Sequence, residues 1–309
     1  MMDWTDRHCR FFLRQVNAQA FLYTEMITTG ALIHGDVPRH LDFSREEHPV
    51  ALQLGGSEPG DLAKCARLGE KHGYDEINLN IGCPSERVQK GAFGACLMAE
   101  PKLVAECVKA IRNEIRLPVT VKHRIGIDQT EAYSFVRDFV GTVAEAGCST
   151  FIAHARNAVL KGLSPKENRE IPPLKYDYVY RLKQDFPQLE IVINGGITTK
   201  EQIESHLAHV DGVMLGRAAY HNPWVLADAG ITRADVVRRM FEYCKSQQTP
   251  HFSVRAVARH MLGLYHGTPR ARLWRRNLSD AALLKKNDPQ LLLETLAAVE
   301  SGRGMMLAA

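Results

Sequence analysis

Seven short apolar runs, rich in β-branched residues, recur along the chain and constrain its fold more than any other feature. They are Leu22–Met26, Val50–Leu54, Glu76–Ile81, Val119–His123, Thr150–His154, Glu190–Asn194 and Gly212–Gly216. Most of the intervals carry amphipathic helical patterns: Leu62–His72, Pro101–Ile115, Tyr133–Ala146, Tyr176–Phe186 and Thr199–Leu207. A strand that is apolar throughout must be covered on both faces, so this alternation means a parallel sheet under helices. A repeat of roughly 30–40 residues favours an α/β fold of the (β/α)8 TIM-barrel kind over an open doubly wound sheet. Such a barrel needs eight strands. The opening "MMDWTDRHCRFFLR" already reads as a βα loop entering a helix. The strand that is lacking is therefore the first, and the expectation is that an internal methionine stands at position 1.

After about Ala227 the alternation stops. "ADVVRRMFEYCKSQ", "SVRAVARHMLGLYHG" and "DPQLLLETLAAVESG" space their apolar residues by three and four, as helices do. The reading is a barrel domain over 1–227 and a small helical domain over 228–309, with a frayed tail at 302–309. The net charge of +4 conceals an asymmetry. Between Arg233 and Arg276 ten Lys/Arg face two acids, a surplus of +8 against −4 for the rest. Such a block suits a polyanion, although solvated helix faces also carry charge. No apolar run approaches the roughly 18 residues of a membrane span, and the charged N-terminus has no secretory pattern. Seven scattered cysteines without CxxC or zinc-ligand spacing read as reduced thiols of a cytoplasmic protein, with no metal site.

In a barrel of this kind functional groups gather at the C-terminal ends of the strands. Polar residues fall there repeatedly: Gln53, Asn78 and Asn80, Lys122 with His123 and Arg124, His154 with Arg156, Asn194-Gly195-Gly196, and Gly216-Arg217. Singly, each is more often a satisfied loop cap than a ligand contact; together they converge on one mouth. "INGGI" and "MLGRA" on the last two strands let backbone N–H groups approach an anion, and Arg217 adds a bidentate partner. This order makes a phosphate-bearing cofactor the expectation. Lys122 is suited to sit beside a reduced, anionic flavin ring.

Cys83 lies between Gly82 and Pro84, just past a strand end, where no core needs a thiol. An ordinary thiol keeps its proton at neutral pH, so a cysteine here can act as a general acid towards a developing carbanion. It can equally act as a nucleophile with a base borrowed from elsewhere, such as His154. Cys65, Cys107, Cys148 and Cys244 lie in helical or core-like patterns and read as buried filler, as do Cys9 and Cys96.

As a set, "NLNIGCPSERVQKGAFGACLM", "VTVKHRIGID", "FIAHARNAVLKGLSPKENREIPPL", "INGGI" and "GVMLGRAAYHNPW" resemble the tRNA-dihydrouridine synthases, in order and over nearly the whole chain. "LSPKENREIPPL" and "MMDWTDRHCR" point to the bacterial A-type branch, which acts on D-loop positions 20 and 20a. The resemblance implies an FMN-bound barrel and a helical domain that grips the tRNA elbow, with no obligate protein partner. It implies that NADPH reduces the flavin, which then reduces the C5–C6 bond of uridine. By the motif match Cys83 is the acid. Met1, Gln53, Lys122, His154, Asn194, Gly195, Gly196, Gly216 and Arg217 match flavin-contacting positions. Asn80 and Arg169 match positions that meet the uracil, Lys166 and Arg169 lie in a tRNA-contacting loop, and Arg272 and Arg275 fit the helical domain's tRNA surface. Of the family's "Ala-Pro-Met" turn, which ends the first strand, only Met1 stands here. Two other readings remain: an FMN-barrel oxidoreductase for a small pyrimidine, which leaves the +8 block unexplained, and a flavin-free RNA-binding protein, which leaves Cys83, Lys122, His154 and Arg217 unexplained.

Overall fold

The computed structural model describes residues 1–130, 132–247 and 252–301; the tail expected to fray, 302–309, lies outside them. Parallel strands form one curled sheet: β1 (Leu22–Tyr23), β2 (Ile27–Thr28), β3 (Val50–Gly55), β4 (Glu76–Ile81), β5 (Val119–Arg124), β6 (Thr150–His154), β7 (Glu190–Asn194) and β8 (Gly212–Met214). Both β1 and β2 pair with β3, so they share one place in the sheet. The order then runs β3 to β8 in sequence, and among the described residues no ladder joins β8 back to β1. This is the curled, helix-covered parallel sheet expected from the pattern, open between β8 and β1.

The first run differs in detail from the expected strand over Leu22–Met26. Leu22 pairs with Val50 and Ile27 with Leu54, so one strand advances a residue further than its partner. That excess is a β-bulge, and it is locally satisfied. The Thr24 N–H donates to Ala51 O at 3.0 Å, and the Thr24 hydroxyl accepts the Gln53 N–H at 2.9 Å.

Helices Pro59–Lys71, Pro101–Glu114, Tyr133–Glu145, Tyr176–Asp185 and Lys200–Leu207 follow β3 to β7. Two open on proline, whose missing N–H costs nothing at a first helical position. The last opens on a reciprocal cap between Thr199 and Gln202. Their apolar faces supply the core: Val104, Val108 and Ile111 on one helix, and Val136, Phe139, Val140 and Val143 on the next, are essentially sealed from water. Each such side chain contributes about 1.5–3 kcal/mol by burial.

The chain forms two compact units. One holds Met1–Met2, Phe21–Phe43 and His48–Gly216; the other holds Asp3–Ala20, Ser44–Glu47 and the chain from Arg217 on. The first helix, Arg7–Val16, therefore groups with the C-terminal helices and not with the sheet. Within that unit Phe11 stacks on Tyr243 with ring centroids 3.9 Å apart, and the buried Arg10 donates to Glu47 at 2.6 Å.

Candidate active site

Strand alternation and register build the site. Residues two apart share a face, and the ladders set Gln53 opposite Asn78, Asn80 opposite Lys122, Arg124 opposite His154, and His154 opposite Asn194. One sheet face thus carries a row of polar side chains towards its C-terminal edge. His123, between Lys122 and Arg124, faces the other way: it lies within about 6 Å of the Phe139 and Phe151 rings, and its Nδ1–H donates to Arg124 O at 2.7 Å.

Cys83 is half-buried at the end of β4. Asn80 holds its backbone: Oδ1 accepts the N–H of Gly82 at 3.1 Å and of Cys83 at 3.0 Å. The thiol lies 3.5 Å from the Ser85 hydroxyl. The loop then folds back so that Ala95 N–H donates to Cys83 O at 2.9 Å. That return needs Gly94, whose φ is +78° and where a Cβ would lie 2.6 Å from Cys83 O. Cys96 is also half-buried; the other five thiols are buried. Burial pushes Cys9 and Cys148 up to about 12, as befits inert packing.

Cations surround this corner. Lys122 Nζ donates to Asn194 Oδ1 at 3.2 Å, and burial together with the Arg124 charge brings Lys122 down to about 7. Arg124 donates to Gly82 O at 3.1 Å, Asn157 O at 3.3 Å and Asn168 O at 3.0 Å. Burial lowers it to about 10, with the Arg169 and Arg156 charges in the same direction and Cys83 opposing. Burial, then Arg124, Lys122, Arg156 and Arg169, drive His154 well below its ordinary value, so its imidazole is neutral. A half-buried ammonium with a depressed pKa favours an anionic ligand.

The late strands add a backbone cradle. Gly195 and Gly196 take φ of +118° and +73°, and a Cβ on Gly195 would fall 2.6 Å from the His154 ring. Tyr176 fixes the turn by donating to Gly195 O at 2.8 Å, and Asn194 Nδ2 donates to Met214 O at 2.8 Å. Met1 Sδ lies 3.4 Å from where a Gly216 side chain would begin. The structure therefore brings Gln53, Asn80, Cys83, Lys122, His154, Asn194, Gly195 and Gly196 to one edge of the sheet, with Met1 against Gly216. A glycine cradle beside a depressed lysine fits a flat, anionic cofactor.

Lys166 and Arg169 are exposed on a loop organised by Asn168. The Asn168 side chain is buried: it donates to Val159 O at 2.9 Å and accepts the Val159 N–H at 2.7 Å. Three expected residues belong to the second unit. Arg217 opens the short helix Arg217–His221. Arg272 and Arg275 are exposed on helix Ala271–Ser279, which buries Trp274, Asn277 and Leu278 on its opposite face.

A dihydrouridine synthase family model matches residues 1–300. The chain belongs to the dihydrouridine synthase family. Within it, the tRNA-dihydrouridine(20/20a) synthase of Synechocystis sp. is 56% identical over 308 residues, spanning 96% of this chain and 92% of that protein. The protein of the same name from Escherichia coli (strain K12) is 55% identical over 314 residues, spanning 98% and 91%. Among solved structures, histamine dehydrogenase from Rhizobium sp. 4-9 superposes with a TM-score of 0.51 at 12% identity, over 72% of this chain and 43% of that one. At that identity the likeness concerns the fold alone.

Three residues that tie this edge of the sheet together escape a reading of strand ends: Glu76, Thr120 and Asn168. The first two lie in strands and the third in the short turn Glu167–Arg169, and only their hydrogen bonds reveal them. Arg124 carried a usable signal, because period-two alternation puts it on the same face as Lys122.

Proposed function

We propose that this chain reduces the C5–C6 double bond of tRNA D-loop uridines at positions 20 and 20a, the activity named for relatives more than half identical to it. FMN is the proposed resident cofactor and NADPH the electron donor. Residues 1–227 are assigned to FMN and the uracil, and 228–309 to the tRNA, in a cytoplasmic monomer. Among the described residues no helix is long and apolar enough to cross a membrane.

Met1, Gln53, Lys122, His154, Asn194, Gly195, Gly196, Gly216 and Arg217 would hold the FMN, which when bound supplies the hydride for C6. Lys122 favours negative charge beside it. Asn80 and Arg169 orient the uracil, and Lys166, Arg169, Arg272 and Arg275 take RNA phosphates. Cys83 gives its S–H proton to C5 as C6 is reduced: the S–H bond breaks, the C5–H bond forms, and the thiolate regains a proton from water. Lys122 and Arg124 lie on β5, the strand paired with β4 beside this loop. A stacked uracil must first swing out of the folded tRNA, which costs a few kcal/mol.

The observation that carries this reading is the shared edge: Cys83, Asn80, Lys122 and the Gly195–Gly196 cradle stand together on one sheet. Purified protein, NADPH and tRNA lacking dihydrouridine should yield dihydrouridine at the named positions, one per NADPH consumed. Oxidation of NADPH by a free pyrimidine but not by tRNA would defeat it.

A further inference from the structure

Three side-chain amides, a hydroxyl and a carboxyl form an unbroken hydrogen-bond chain across the sheet face, from the loop of Cys83 to the first residue of β4. Its direction follows from elementary chemistry. The Gly82 and Cys83 backbone N–H groups can only donate, so the Asn80 oxygen must accept them. The Asn80 amide nitrogen then donates to Gln53 Oε1 at 2.8 Å. The Gln53 nitrogen donates to Asn78 Oδ1 at 2.9 Å, and the Asn78 nitrogen to the Thr120 hydroxyl at 2.8 Å. Having accepted, that hydroxyl must donate, and it does so to Glu76 Oε1 at 2.6 Å. The Tyr23 hydroxyl also hydrogen-bonds the Glu76 carboxyl. Every bond points the same way, so each polarises the next.

We infer that Glu76 is a positioning residue: as terminal acceptor of this one-way chain, it fixes which atoms Gln53 and Asn80 present to a ligand and holds the backbone of Cys83. The role assigned to the ligands rests on the function proposed above; the geometry of the chain does not. Each amide nitrogen has two hydrogens and spends one in the chain. The Asn80 oxygen already accepts two backbone N–H groups, so Asn80 has only an N–H left for a bound ring, whereas Gln53 keeps one N–H and one lone pair of its oxygen. Without an acceptor at position 76, the Thr120 hydroxyl proton either stays unpaired or turns to Asn78, and a reversal of the amides would then set the Asn80 nitrogen against the Cys83 N–H; either way a hydrogen bond of the chain is lost. The acceptor oxygen is present whether the carboxyl is ionised or protonated, and a glutamine supplies one as well.

Four single variants test this against a packing role. Thr120→Val keeps the volume and loses the hydroxyl; Thr120→Ser keeps the hydroxyl and loses volume. Glu76→Met removes the acceptor, and Glu76→Gln retains it. Two quantities are read: the FMN dissociation constant, by flavin fluorescence on rebinding to flavin-free protein, and the iodoacetamide alkylation rate of Cys83, by peptide mass spectrometry. Thr120→Val and Glu76→Met should weaken FMN binding about tenfold and speed Cys83 alkylation several-fold, the scale of one lost buried hydrogen bond. Thr120→Ser and Glu76→Gln should stay within about twofold. Wild-type alkylation in Thr120→Val, or equal damage from Thr120→Ser, overturns the inference. If the wild-type protein binds no FMN, it is the proposed function that fails, and the alkylation rates still decide the role of Glu76.

Discussion

Two basic clusters, one in each unit, use the same residue types in opposite ways. In the first, Arg124 is withdrawn from water and Lys122 is half-buried, and burial lowers both. In the second, Arg272, Arg275 and Arg276 stand exposed on one side of a helix whose other side is sealed by Trp274 and Leu278. A buried cation is short of water and responds strongly to a single anion close by. An exposed cation keeps its charge, acts at a distance and is screened by salt. Burial, more than residue identity, separates a charge suited to chemistry from a charge suited to grip.

The sharpest way to break this contrast is at the thiol. Cys83→Ala should cut dihydrouridine formation by about 10²–10⁴-fold, the range for a lost general acid. Reduction of the flavin by NADPH and the affinity for tRNA should stay at wild-type levels. Product at the normal rate would show that the proton comes from elsewhere. Next in size, Lys122→Met should weaken FMN binding by more than about tenfold while raising the melting temperature of the flavin-free protein, because a buried charge is removed. A lowered melting temperature would mean that burial of Lys122 is not costly, and the contrast would lose its basis.

On the exposed side, Arg272→Ala with Arg275→Ala should reduce the slope of log affinity for tRNA against log salt by about two, one for each phosphate left without its arginine. FMN binding should not change. A wild-type slope would locate the RNA surface on other residues. The smallest effect concerns Glu76, which burial raises from its ordinary 4.5 to about 7. Between these values the folded protein retains a proton that the unfolded chain has released, so this group's contribution to stability is full below about 4.5 and is lost as pH rises through about 7. Urea unfolding of Glu76→Gln across that window should lack this fall. A variant that still follows the wild-type profile would assign the titration to another group.

Much of this architecture is legible in the amino-acid order, because a parallel strand and its covering helix each impose a period on their own residues. The runs at Val50, Glu76, Val119, Thr150 and Glu190 become strands within a residue or so of their expected limits. Polar residues at the ends of those strands mark the edge where the site lies. Less legible is whatever depends on partners distant in sequence. The bulge after Tyr23 arises from a one-residue mismatch with β3, which no local pattern announces. Helix Arg7–Val16 has an ordinary amphipathic pattern, and nothing in it reveals that Phe11 will meet Tyr243. Glu76 reads as a charge flanking a strand; its importance depends on Thr120, which lies on the neighbouring strand.

Arg124 has a mechanical consequence. One guanidinium clasps Gly82 O, next to the thiol, and also Asn157 O and Asn168 O, which belong to the segment bearing Lys166 and Arg169. Neither stretch can shift alone without rupturing a charged hydrogen bond, a loss of about 1.5–3 kcal/mol. The two stretches are geared together, so a push on one is felt by the other.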